Sequence, residues 1–148
     1  MDREIVSARR AIAQDDVYDA VLQAERQNLS RVIELDDLYA WREQLIAELL
    51  RPHSSYAQAM EPTSGVWQRP RDPELYAHFL DRWSAMVADT IRRLQCHGFA
   101  KGAQPKDMAT AILAAIHGGV LLARVSDDAQ PLRNALRLPF ERLEAAHS

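Results

Sequence analysis

Histidine and cysteine are the side chains of this sequence that could bind a metal or act as nucleophiles. His78 has Asp81 three residues later, and His97 directly follows the single cysteine, Cys96. A zinc site needs several ligands that converge on one point, as two histidines four residues apart on a helix do. One His–Asp pair supplies only two ligands, and adjacent residues point about 100° apart on a helix. We therefore expect these histidines to be structural and expect no metal site.

Sequence signatures of catalysis are missing. The chain has no glycine-rich phosphate loop, no His-Glu-x-x-His motif and no Gly-x-Ser-x-Gly motif. Cys96 lies near the end of a predicted helix, where the helix dipole disfavours a thiolate. The sequence therefore favours a protein that is not an enzyme and needs no cofactor. An all-α enzyme or metal protein is kept as a minor alternative, which an activity abolished by a chelator would support.

Charge and cysteine content narrow the class of protein. The formal net charge is -3, and residues 1–51 contain seven arginines against eleven aspartates and glutamates. Nucleic-acid-binding domains usually carry a basic face, so we expect no direct DNA binding by this chain. A lone cysteine suits a reducing compartment, and the charged N-terminus does not resemble a signal peptide. We expect a cytoplasmic protein that does not insert into a membrane.

The positions of proline and glycine predict where helices begin and end. No proline precedes Pro52 and no glycine precedes Gly65, so the first fifty residues are predicted to be almost continuous helix. Within them, Asp15-Asp16 and Asp36-Asp37 are predicted helix caps. Residues 52–72 hold three of the seven prolines and predict a loop or a broken helix.

Three further helices are predicted after this connection. The first begins at Asp72-Pro73 and ends at Gly98. The second begins at Gln104 or Asp107, and the third begins at Pro131 and is kinked by Pro139. No segment alternates at period two for long enough to form a strand. The predicted fold is all-α, with five or six helices in one domain that spans residues 1–148.

The adjacent glycines Gly118 and Gly119 lie in the most apolar segment of the chain. A glycine inside a helix costs roughly 1 kcal/mol against alanine, so this pair needs a reason. Small residues four apart allow a second helix to approach closely. We predict a homodimer in which this helix and the last helix of each chain form a four-helix interface. The alternative is that the two glycines serve close packing within one chain. The predicted interface residues are Ala111, Ala114, Ala115, His117, Gly118, Leu121, Leu122, Leu132, Leu136, Phe140 and Leu143.

The C-terminal half resembles the ligand-binding and dimerisation domain of TetR/AcrR-family transcriptional regulators. The resemblance rests on the connector "HGFAKGAQPKDMA", the helix "ILAAIHGGVLLARV", the turn "DDAQPL" and an amphipathic last helix. Upstream, "DLYAWREQLIAEL" resembles the LmrA/YxaF-like branch of this family, and the similarity extends over roughly residues 15–145. It implies a helical bundle that dimerises through its last two helices and binds a small, largely apolar molecule.

The same resemblance implies a ligand pocket between the Trp41 helix, residues 56–67 and the Trp83 helix. Aromatic and methionine side chains suit a mostly apolar cavity, although core packing is the more frequent role of each such residue taken singly. The candidate lining residues are Trp41, Tyr56, Met60, Trp67, Phe79, Trp83, Met86 and Val87. Trp67 is the strongest candidate, because it lies in a predicted loop. The segment "RPHSSYAQAMEPTSGVW" departs from this branch of the family, where a Gly-Cys-Pro element often follows the Trp41 helix.

Family members normally begin with a helix-turn-helix DNA-binding domain of about fifty residues. Residues 1–60 contain no glycine and are net acidic, and they do not resemble a recognition helix. We therefore expect either a fragment that follows such a domain or a protein that lacks one. The function predicted first is an effector-binding and dimerisation domain. The alternative is a headless interaction protein that pairs with itself or with a full-length regulator.

Overall fold

The computed structural model describes residues 2–60 and 72–146, with side chains described from residue 15 onward. This part of the chain forms α1 (Asp2–Leu29), α2 (Leu35–Leu50), α3 (Ser55–Ala59), α4 (Pro73–Cys96), α5 (Pro105–Ser126) and α6 (Gln130–Ala145). The described residues contain no strand. The predicted all-α bundle of five or six helices is confirmed.

Two predicted helix caps are wrong. Helix α1 continues through Asp15 and Asp16, because neither glycine nor proline interrupts it there and an aspartate alone does not end a helix. Helix α2 is capped at Glu34, slightly before the predicted Asp36-Asp37. Asp37 still contributes, since its carboxylate accepts the backbone N–H of Glu34 at 3.2 Å. A carboxylate three residues inside a helix commonly satisfies the cap in this way.

The boundaries predicted at Pro52, Asp72 and Gly98 agree with the structure. Helix α2 ends two residues before Pro52. The Asp72 carboxylate caps α4 by accepting the Leu75 N–H at 3.0 Å. Gly98 has a φ of 89° just after α4, a conformation that glycine adopts without strain. Residues 55–59 of the predicted broken segment form the short helix α3. Helix α6 continues through Pro139, and the kink expected there stays a prediction.

Helix α5 lies centrally and packs against α4 on one side and α6 on another, while α1 packs against α3 and α4. Two arginines fix the ends of neighbouring elements. The Arg93 guanidinium donates to the carbonyls of Leu29 and Val32, at 2.8 and 2.9 Å. The Arg124 guanidinium donates to the carbonyls of Ala57 and Met60, at 2.7 and 3.0 Å. The last carbonyls of α1 and α3 therefore have partners on α4 and α5.

Helix α5 is also long and apolar enough to cross a membrane by length and composition, with a mean hydropathy of 1.7. Its fully buried residues include Ile112, Ile116 and Val120. A central helix of a bundle has the same composition as a membrane span, because other helices cover its apolar sides. The hydropathy of α5 is therefore explained by its place in the core.

The two adjacent glycines of α5 serve different surfaces. A Cβ atom on Gly119 would lie 2.7 Å from Leu132 Cδ1 and 2.9 Å from Leu132 Cα, so this glycine allows α6 of the same chain to approach. A Cβ atom on Gly118 would meet no atom within 4 Å. Packing within the chain thus accounts for Gly119 and leaves the exposed Gly118 without an explanation inside one chain.

Alanine substitutions at these glycines should change stability in opposite directions. Gly119→Ala should lower the free energy of unfolding by about 1–3 kcal/mol, because the backbone of α6 has to move. Gly118→Ala should raise it by about 0.5–1 kcal/mol through helix propensity. Urea unfolding followed by circular dichroism measures both. Equal effects of the two variants would contradict the assignment of Gly119 to the α5–α6 crossing.

Candidate functional site

The described members of the predicted ligand pocket form an aromatic cluster in the core. Those that are fully buried are Trp41, Tyr56, Met60, Phe79, Trp83 and Val87. Met86 is partly buried against them, and Trp67 lies outside the described residues. The rings contact one another, with centroids 5.5 Å apart for Phe79–Trp83 and 6.4 Å apart for Tyr56–Trp83. A ligand among these residues would have to separate side chains that now pack together.

A buried carboxyl group lies at the centre of this cluster. Glu25 of α1 is only 1% exposed. Its Oε1 accepts the indole N–H of Trp83 at 2.8 Å. Its Oε2 accepts the indole N–H of Trp41 at 3.0 Å and the hydroxyl of Tyr56 at 3.1 Å. The four side chains come from four helices, so one carboxyl group connects α1 with α2, α3 and α4.

Burial dominates the electrostatics of this group. Removal from water raises the pKa of Glu25 above its ordinary value, and the hydrogen bonds from the two indoles and Tyr56 act in the opposite direction. Burial also raises the pKa of Tyr56, and the nearby charges of Glu25 and Glu48 raise it further. The partners of Glu25 among the described side chains are neutral donors. The carboxyl group is therefore stabilised by hydrogen bonds from neutral groups and not by a cation among the described side chains.

Glu25 was missed in the sequence analysis, although a signal was present. It lies on the apolar stripe of α1, three residues after Leu22 and four before Leu29, both of which are buried. A charged residue in register with a buried stripe is rare unless it has partners. The tryptophans that bind it are 16 and 58 residues away in sequence, so the partners could not be identified from sequence spacing.

His117 faces α4 of its own chain. Its Nδ1–H donates to the Leu113 carbonyl at 2.7 Å, which leaves Nε2 as the acceptor for the Tyr76 hydroxyl at 2.7 Å. Burial lowers the pKa of His117, and the hydrogen bond to Leu113 opposes that shift. Both ring nitrogens are thus occupied within the chain. Its hydrogen bonds serve its own chain, and its place in a dimer interface stays a prediction.

The predicted seam of α6 is likewise buried within its own chain. Leu132, Leu136, Phe140 and Leu143 have no more than 2% of their surface exposed. Phe140 is covered by α2, with the Arg42 guanidinium 4.8 Å from its ring centroid and Trp41 stacked at 6.5 Å. A partner cannot contact these residues unless the bundle opens. Their assignment to a dimer interface is therefore corrected, since the apolar stripe of α6 faces the core.

The remaining predicted interface residues lie on the outer face of α5. Ala111, Ala114, Gly118 and Leu122 are exposed, and Ala115 and Leu121 are half-buried. Two large apolar residues that were not predicted also lie on α5 and α6, namely Val125 at 74% exposure and Leu138 at 70%. The outer face of α5 thus carries small and apolar side chains over more than three turns, and a partner could pack on it. We define this outer face by Ala111, Ala114, Gly118, Leu122 and Val125.

The histidine and cysteine positions give no metal-binding arrangement within the described part of the chain. No three His, Cys, Asp or Glu side chains converge there in a way that could hold a metal ion. Cys96 is exposed at the end of α4.

The fold and these two features define a helical domain with a buried polar centre and an exposed apolar helix face. Residues 71–137 match the family model for the C-terminal domain of LmrA/YxaF-like transcriptional regulators. This match covers α4, α5 and the first half of α6. The match supports a TetR-family C-terminal domain over residues 71–137. The comparisons with curated proteins and with solved structures found no match.

Removal of the Glu25 carboxyl group should destabilise the bundle. Glu25→Gln should lower the free energy of unfolding by about 1–3 kcal/mol, since its amide N–H₂ would face an indole N–H or the Tyr56 hydroxyl. Glu25→Leu should cost more, because it leaves three buried donors without an acceptor. The exposed Glu141→Gln is the matched control and should change stability by less than about 0.5 kcal/mol. If chemical unfolding gives Glu25→Leu the same free energy of unfolding as the control variant, this account is contradicted.

The raised pKa of Glu25 gives stability a specific dependence on pH. The folded state binds the Glu25 proton more tightly than the unfolded chain does, so this contribution is complete below the ordinary value of 4.5 and is lost as pH rises through the folded pKa. The stability difference between wild type and Glu25→Gln should therefore shift toward wild type as pH falls to about 4.5. Urea unfolding of both proteins across this range tests the sign. A shift toward Glu25→Gln would show that the folded state prefers the ionised carboxylate.

Proposed function

We propose that this chain is the effector-binding and dimerisation domain of a cytoplasmic TetR-family regulator. The family match supports a regulatory domain. The single structural observation that carries the dimerisation part is the outer face of α5. Leu122 is 57% exposed and Val125 is 74% exposed, and Leu138 of the adjoining α6 is 70% exposed. Leu122 and Val125 lie one turn apart on α5, and exposed large apolar side chains of this kind mark a site of association.

The dimer follows from what this face can bury. Gly118, Ala111 and Ala114 allow the backbones of two helices to approach, and Leu122 and Val125 supply apolar area. A two-fold axis near Gly118 would place the same face of each chain against its copy. The buried seam of α6 then supports the interface from inside each chain and does not contact the partner.

The effector part of the proposal concerns the helices joined by Glu25. A small molecule that binds between them better in one arrangement than in another would shift the bundle toward that arrangement. In a full-length dimeric regulator, such a shift would change the spacing of two DNA-binding heads and thereby the affinity for an operator. The ligand predicted from the aromatic side chains is small and largely apolar. This chain alone is expected to bind neither DNA nor membranes.

The alternative is an interaction protein that dimerises with itself or with a full-length regulator. The exposed face of α5 supports it equally, because such pairing uses the same surface. Co-purification of the chain with a longer regulator would favour this alternative.

Native mass spectrometry of the purified chain tests the proposal. We expect a dimer, and added small-molecule mass on it would support effector binding. Leu122→Glu and Gly118→Leu should shift the protein toward monomer, since one buries a charge and the other blocks close approach. Ile33→Glu is the matched control, because Ile33 is 51% exposed but lies in the α1–α2 connection. A monomeric wild type, or an unchanged dimer in both α5 variants, would overturn the assigned interface.

A further inference from the structure

The ring of His117 lies at the edge of the outer face of α5. His117 comes three residues after Ala114 and directly before Gly118, both of which are exposed, and it is itself half-buried. On its inner side the ring packs edge-on against Tyr76 of α4, with the two centroids 6.1 Å apart. A partner that packs on the outer face would cover the part of His117 that water still reaches. The ring therefore touches both the α4–α5 contact and the surface proposed for association.

The hydrogen bonds of His117 require one neutral tautomer. The Leu113 carbonyl can only accept, so the Nδ1 atom 2.7 Å away carries the proton. Nε2 then has a lone pair and no proton, and it accepts the hydroxyl of Tyr76 at 2.7 Å. A second proton on the ring would make Nε2 a donor. The Tyr76 hydroxyl would then have to accept from Nε2 and direct its own proton elsewhere, so protonation reverses the hydrogen bond between α4 and α5.

Within the described part of the chain, no carboxylate compensates a positive charge at this ring. The titratable groups that face it are two phenols, Tyr76 on α4 and, behind it, Tyr18 on α1, whose rings are 5.8 Å apart. Arg124 lies two turns further along α5 and donates to carbonyls of α3. Glu25 lies two turns beyond Tyr18 on α1 and is bound by the indoles. Helix α6 packs on the opposite side of α5 and places apolar side chains there.

We propose that the hydrogen bond between His117 and Tyr76 is a pH-sensitive switch that controls association through the outer face of α5. Neutral His117 fixes α5 against α4 in the arrangement that presents this face. Protonated His117 reverses the hydrogen bond and places a charge at the edge of the face, where a partner would have to remove it from water. Mild acid therefore separates the dimer. This inference rests on the proposed dimerisation and assigns the proton as a regulator of it.

Nuclear magnetic resonance of the imidazole nitrogens in the full chain tests the switch directly. At neutral pH, His117 should have its proton on Nδ1 and none on Nε2. Because burial lowers its pKa, it should take up the second proton below the ordinary value of 6.5. Tyr76→Phe removes the donor to Nε2 and should raise the pH at which His117 is protonated. A proton on Nε2 at neutral pH would overturn the proposal, and this result does not depend on the folding of a variant.

Sedimentation velocity measures the effect on association. The dimer takes up the proton on His117 less readily than the monomer does, so association is strongest above the ordinary pKa of 6.5 and is lost as pH falls below it. The dissociation constant of the wild-type dimer should rise at least about tenfold between neutral pH and about pH 5. In His117→Gln it should change less than about threefold, because the amide oxygen still accepts the Tyr76 hydroxyl and does not titrate.

Two comparisons isolate the effect of His117. His78→Gln removes an exposed histidine of α4 and is the matched control, which should keep the pH dependence of the wild type. Glu25 is present in the wild type and in both variants, so its own titration cancels when they are compared. An equal pH dependence of the dissociation constant in wild type and His117→Gln would overturn the switch.

Failure of this inference can be distinguished from failure of the proposed dimer. If the wild type is dimeric and its dissociation constant is the same at neutral pH and in mild acid, the switch is overturned and the interface is supported. If the wild type is monomeric at neutral pH, both proposals are contradicted.

Discussion

The hydrogen bonds of the Glu25 carboxyl group are the interaction on which the N-terminal part of this bundle depends. One side chain of α1 accepts donors from α2, α3 and α4. A buried carboxyl group is costly unless its oxygens have partners, and partly satisfied networks are worse than an apolar core. The cluster is therefore a strict geometric constraint, because displacement of any one of the three helices leaves a buried polar atom unpaired.

Different interactions stabilise the two parts of the bundle. Around Glu25 the helices meet through directional hydrogen bonds, whereas α5 and α6 meet through close apolar packing at Gly119 and Leu132. Packed apolar surfaces change arrangement in discrete steps, because interiors have little free volume. Directional networks can exchange one partner for another, including a ligand group or water. A rigid α5–α6 pair suits a dimer interface, and a polar centre that joins four helices suits a site that responds to a ligand.

The sequence predicted the helices well because their boundaries are encoded locally. Pro52, Asp72-Pro73 and Gly98 each act within one turn of the chain, so composition alone identified them. It was harder to predict which faces of α5 and α6 are buried. Helix α5 is apolar on all sides, so its periodicity does not show which side packs against the core. The leucines of α6 were predicted to lie in a dimer interface because they form an apolar stripe. Such a stripe can be buried against helices of the same chain as well as against a partner.

The site was predicted only in part because its connections are long in sequence. Trp41, Tyr56 and Trp83 were selected for their aromatic character, and the structure brings these three together. Their common partner could not be found by type, since a single glutamate in an acidic segment resembles a solvated one. The role of a side chain depends on its tertiary partners: the indoles that suggested an apolar pocket donate hydrogen bonds to a carboxyl group. A ligand that separated these groups would have to offer an acceptor in place of the Glu25 oxygens, because an apolar ligand would leave the buried donors unpaired.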